Sequence, residues 1–220
     1  MKKIFIIIFI SILLLVISGY IIKGLPKNET HSIKAATSEL RLLPSDNLVE
    51  SFLGKNKNFK SEYEKDDCFN ITPDFITNNS QFTIFKYNSS TASFLMFDNE
   101  IYILGEYFGG YGVTSMALAD LDEDNQYEFY FTFSWGSGIH RSQAGYYNPA
   151  SKKVVIFDYS YNDKELMLTT NKAGGLLVNE ATIDNGGSFV DFTIKPTKLI
   201  GSISLEKETI TLNVADNEHK

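Results

Sequence analysis

Tyr127-Glu128-Phe129-Tyr130-Phe131-Thr132-Phe133 alternates with an unbroken period of two. In an extended chain successive side chains point to opposite faces. Tyr127, Phe129, Phe131 and Phe133 therefore share one face, and Glu128, Tyr130 and Thr132 share the other. One face has to be core, and an aromatic comb of this kind reads as packing rather than as a ligand platform.

The same period extends along the chain on both sides. Phe82, Ile84 and Phe85 open it. Ser93–Phe97 and Glu100–Leu104 flank Asp98-Asn99, the dipeptide of a two-residue hairpin turn. Further strands are expected over 113–119, 127–134, 153–159, 164–170, 175–180, 188–195, 199–205 and 209–214. Asn162-Asp163, Gly174-Gly175, Asn185-Gly186-Gly187 and Glu206-Lys207-Glu208 supply turns between them. Before the β region, Ser45 or Asp46 can cap a short helix carrying Leu48, Val49, Phe52 and Leu53, stopped by Gly54. Residues 55–67 read as a charged, solvated segment. The expectation is a mainly β, antiparallel domain with one short N-terminal helix.

The N-terminus has a different pattern. Met1-Lys2-Lys3 precedes Ile4–Ile22, an apolar run interrupted only by Ser11, Ser18, Gly19 and Tyr20. As a helix it would span about 28 Å, close to the thickness of a bilayer's hydrocarbon core. The leading lysines favour an N-terminus kept inside. Val16 and Ser18 could instead stand third and first before a signal cleavage site, but the run outlasts an ordinary signal core. The predicted organisation is a transmembrane signal-anchor over 1–23, a tether over 24–43 and an extracytoplasmic domain over 44–220. The implied location is the cell membrane, crossed once.

Composition narrows the partners. Apolar residues make up 43% of the chain and aromatics 14%, enough for a packed core. The net charge is −7, and without Lys2, Lys3 and Lys23 the remainder holds 17 basic against 27 acidic residues. So acidic a domain repels phosphate backbones, which argues against nucleic acid as a partner. An unknown protein or glycan ligand remains. The single cysteine, Cys68, allows no internal disulfide, and its acidic neighbours disfavour a thiolate.

One loop carries chemistry. In Asp120-Leu121-Asp122-Glu123-Asp124-Asn125-Gln126-Tyr127-Glu128, carboxylates at alternate positions of a turn converge and repel unless something neutralises them. Calcium, a hard cation that takes six to eight oxygens, is the natural candidate. Asp120, Asp122, Asp124 and Glu128 would give carboxylates and Gln126 its backbone carbonyl. Asn125 stands where such loops carry glycine, and it is the residue best able to replace one at positive φ. Phe131 at position 12 and the lack of a following helix exclude an EF-hand.

Phe108-Gly109-Gly110-Tyr111-Gly112, then Ala117–Asn125, then Glu128 before a strand, resembles one FG-GAP (VCBS-type) repeat over residues 108–131. The resemblance implies a calcium loop at Asp120, Asp122, Asp124, Gln126 and Glu128 between two strands of a blade-like sheet. Asn125 and Glu128 depart from the family's usual Gly and Asp. No second acidic loop follows, so a full propeller is not expected.

A second loop, Ser134–Ser142, holds Trp135, Ser137, His140 and Arg141. Trp and Arg suit a binding loop on a rigid sheet. Ser137 with His140 suggests a surface hydrolase as the alternative, although Gly-Ser-Gly is not a nucleophile elbow.

Overall fold

A computed structural model describes residues 39–40, 47–56, 67–88, 91–106, 109–189 and 191–215. The anchor, the Ser45/Asp46 cap, Phe108 and most of the charged 55–67 segment lie outside the described residues. So does the tether, apart from Glu39–Leu40. No helix among the described residues is long and apolar enough to cross a membrane.

The structure is mainly β, as the alternation predicts. Strand β1 is Glu39–Leu40, β2 Cys68–Asn70, β3 Thr83–Tyr87, β4 Ser93–Phe97 and β5 Glu100–Gly105. Next come β6 Gly112–Ala119, β7 Glu128–Trp135, β8 Arg141–Asn148, β9 Lys153–Asn162 and β10 Glu165–Thr170. The series ends with β11 Leu176–Asp184, β12 Phe192–Glu206 and β13 Thr209–Val214. All strand pairs are antiparallel, in three sheets. Strands β2 to β5, β6 to β9 and β10 to β13 each form a meander in chain order, and β1 adds to β12.

The comb strand β7 is buried on both faces, more deeply than its alternation requires. Phe129, Phe131 and Phe133 join Ile84, Leu95 and Leu104 of the β2–β5 sheet in one core cluster. Tyr130, on the opposite face, packs with Leu166, Leu168 and Val178 of the β10–β13 sheet in another. The β6–β8 part of this sheet thus has a core on each side, while the edge strand β9 is largely exposed. Helix α1, Asn47–Lys55, covers the β2–β5 sheet with Val49 and Phe52, and Phe52 stacks on Phe85 at 4.3 Å.

Several expectations need correction. Gly54 does not stop α1, which continues to Lys55. A second short helix, α2, occupies Asp74–Thr77. Within the expected tether, Glu39 and Leu40 pair with Thr193 and Phe192. The two strands expected over 188–195 and 199–205 are one strand, β12. Its ladder with β11 shifts register at Val178/Asn179 and at Glu180/Ala181, so bulges absorb Pro196 and its surroundings without ending the strand. Strand β8 was not expected at all, and its presence shortens the second loop to 136–140.

The turns behave as their residues dictate. Asp98 and Asn99 both have positive φ (50° and 61°) between paired Phe97 and Glu100, the geometry of a tight hairpin turn. Gly110 has φ 77°, and a Cβ there would lie 2.4 Å from the Trp135 Cα. The glycine pair before β6 thus fits directly against the exit of β7.

Candidate metal centre

The acidic loop spans the turn from β6 to β7. Ala119 pairs with Glu128, so the ladder closes the loop at its base and holds Asp120 and Glu128 on adjoining strands. Asp120 is 6% exposed and Glu128 is fully buried, while Asp124 and Asn125 lie at the exposed tip. Backbone N–H groups fold the loop onto its own carboxylates. Asp124 N–H donates to Asp120 Oδ1 at 3.1 Å, Asn125 N–H to Asp120 Oδ2 at 3.1 Å and Gln126 N–H to Asp124 Oδ1 at 2.7 Å. Two residues take positive φ to allow this, Glu123 at 61° and Asn125 at 67°. Asn125 therefore occupies the conformation expected of it.

Asp120, Asp122, Asp124 and Glu128 each offer a carboxylate oxygen within 4.8 Å of the others. At an effective dielectric of 20, unit charges that close repel by roughly 3–4 kcal/mol per pair. Glu128 Oε2 accepts from Leu121 N–H at 2.9 Å and from the Tyr130 hydroxyl at 3.0 Å. Glu128 Oε1 is buried without a hydrogen-bond partner. Burial pushes the Glu128 carboxyl up to about 8 and Asp122 adds to the rise, against the Leu121 and Tyr130 bonds that hold it down. A buried carboxylate oxygen with no donor needs either a proton or a cation.

The donor set is all oxygen, with no thiolate and no imidazole. It fits a hard divalent cation and does not fit the softer metals that take Cys and His. Gln126 is exposed and lines a cavity of about 170 Å³ with Asp120, Asn125 and Tyr127. Its backbone N–H and its side-chain Nε2 both donate to Asp124, so its oxygens are what it has to offer a cation. Two participants carried no local signal. Asn148, at the end of β8, donates from Nδ2 to Asp122 Oδ2 at 3.0 Å and steadies the tip of the loop. Tyr130, which the alternation places on the face opposite the comb, holds Glu128, and its ring stacks on Tyr146 at 5.6 Å.

The second loop is arranged differently. Trp135 and Arg141 are strand residues paired across the β7–β8 ladder. Ser137 lies exposed at the tip, while His140 turns inward and its Nδ1 sits 3.1 Å from Glu165 Oε1. Ser142 is 3.1 Å from Glu165 Oε2 and 2.9 Å from the Lys164 carbonyl. A carboxylate thus stands behind His140, but the hydroxyl in the network is that of Ser142 and it meets the acid, not the imidazole. No hydrogen bond joins Ser137 to His140 among the described residues.

Lys86, also unforeseen, is buried beside this network. It donates to the Phe189 carbonyl and lies 5.1 Å from the centre of the Phe192 ring. Burial lowers its ammonium to about 7, with Glu165 opposing the fall. The Cys68 thiol is pushed up to about 12, chiefly by burial; Tyr87 opposes the rise and Asp67 adds to it. The acidic neighbourhood is thus a lesser cause than the sequence suggests.

The chain matches no protein-family model, and no curated protein or solved structure matches it significantly.

Proposed function

We propose that the chain is a non-enzymatic binding domain, stabilised by one calcium ion and displayed outside the cytoplasm by its N-terminal apolar run. The observation that carries the metal reading is Glu128 Oε1, buried and without a donor inside a group of four carboxylates. Calcium suits the site better than magnesium. The ligands sit on a turning loop, and calcium tolerates flexible, high coordination where magnesium needs a near-ideal octahedron. Three consecutive four-stranded meanders are consistent with blade-like hairpins and with the FG-GAP resemblance around the acidic loop. The anchor rests on the Ile4–Ile22 run and its leading lysines.

The test of the metal reading is terbium luminescence on the full chain in detergent, excited through tyrosine. Tyr130 touches Glu128, so terbium in the site is expected to show sensitised emission that calcium displaces and Glu128→Gln abolishes. Emission that is absent, or that survives Glu128→Gln, contradicts the reading. Carbonate washing tests the anchor. A chain held by 1–23 stays in the membrane pellet, and a soluble product beginning at Gly19 would show cleavage instead.

A further inference from the structure

A second cavity, of about 420 Å³, borders the acidic loop and shares Asn125, Gln126 and Tyr127 with the smaller one beside Asp120. Asn79 and Gln81 face these loop residues from the segment between α2 and β3. The lining is therefore rich in carboxamides, each able both to donate and to accept. The Asn79 Nδ2 is spent on the Phe75 carbonyl, which leaves its oxygen as an acceptor. Half-buried Tyr127 and Phe97 supply aromatic surface among the amides.

We infer that this cavity is a carbohydrate site that takes an uncharged sugar ring next to the bound calcium. Hydroxyl groups, like carboxamides, donate and accept at once, whereas an apolar ligand would leave the amides unpaired. The C–H faces of a sugar ring are apolar and pack on aromatic surface. No Lys, Arg, Asp or Glu lines the cavity, so its lining offers no partner for a charged ligand. Its volume falls in the range of small-ligand pockets. The inference rests on the calcium reading. With each carboxylate binding through one oxygen, four carboxylates and one carbonyl supply five of the six to eight positions of calcium, and vicinal hydroxyls can complete them. An extended peptide is the poorer fit, because the lining comes from turns and not from a free strand edge.

The test is saturation-transfer NMR on the full chain in detergent. The probes are methyl mannoside, methyl galactoside and N-acetylglucosamine, with tetra-alanine as an uncharged peptide control. Calcium binding is measured by calorimetry on the same samples. Transfer is expected to at least one sugar in calcium, to be lost in chelator, and to weaken about five- to tenfold in Gln81→Ala. Gln81 is exposed and outside the metal ligands, so calcium binding in that variant is expected to be unchanged. Calcium binding with no transfer to any sugar overturns the sugar site and leaves the metal reading standing. Transfer that persists in chelator, or transfer to tetra-alanine instead of the sugars, also overturns it. A failure to bind calcium at all sinks the metal reading and this inference with it, and calorimetry separates that case from the others.

Discussion

Strand β7 carries a polar loop at each end, and the two loops are finished in opposite ways. The loop that enters it, 120–127, gathers four carboxylates and leaves Glu128 Oε1 buried without a donor. The loop that leaves it, 136–140, delivers His140 to Glu165, and Ser142 just beyond completes that network. One loop has a surplus of acceptors that a proton or an outside cation has to satisfy, whereas the other closes on partners from its own chain. Both looked functional from their composition. What separates them is the buried carboxylate at each: Glu165 meets His140 and Ser142, whereas Glu128 Oε1 meets no donor.

The comparison assumes that β7 supports both loops equally, and Phe131→Ala tests that first. Phe131 is fully buried, and its truncation is expected to cost about 3–5 kcal/mol in denaturant unfolding, disabling both loops together. A loss below about 1 kcal/mol would mean that β7 is not their common support.

Acidity should then distinguish the two ends. Glu128 has a folded value of about 8, above its ordinary 4.5. Its protonated form is favoured in the calcium-free fold, so its contribution to stability is fully present below about pH 4.5 and is lost as pH rises through 8. The slope approaches at most about 1.4 kcal/mol per pH unit. Over that window the calcium-free chain should lose stability relative to Glu128→Gln, and calcium should cancel the loss. A calcium-free chain that gains on Glu128→Gln as pH rises would break the account of the entering loop. Lys86 titrates in the opposite sense, with burial favouring its neutral form and stability rising with pH above about 7, which is why the variant is the proper reference.

The leaving loop should respond weakly and without regard to calcium. His140→Ala removes a partner of Glu165 and is expected to cost about 0.5–1.5 kcal/mol. Exposed Arg141→Ala should stay within about 0.5 kcal/mol in the same melts. A calcium-dependent effect of either substitution would erase the distinction between the loops.

Much of this could be read from local sequence. Asp98-Asn99 and Lys207-Glu208 turn hairpins as their flanking alternation predicts, and β13 keeps its expected bounds. The acidic loop was legible because its ligands lie within nine residues of one another. Strand β8 was not, because Arg-Ser-Gln-Ala-Gly-Tyr-Tyr-Asn is small and polar where a strand signal is apolar. Gly145 is fitted between both neighbouring strands: a Cβ there would stand 2.7 Å from the Val155 carbonyl oxygen and 3.1 Å from the Phe131 ring. Strand β12 read as two because Pro196 interrupts it, and only its pairing with β11 shows that bulges carry the strand across. Asn148, Glu165 and Lys86 were beyond reach for a different reason. Their roles depend on partners 23 or more residues away, brought together by sheet packing and not by spacing.

The most direct test of the central claim is a thermal melt of the full chain in chelator and in millimolar calcium. With a dissociation constant near 10⁻⁴ M, linkage stabilises the fold by about 1–2 kcal/mol. The midpoint should rise by about 2–8 °C. Asp120→Asn and Asp122→Asn should each remove the rise, and magnesium should reproduce little of it. Superimposable curves in chelator and calcium would contradict the account and reduce the loop to an acidic turn.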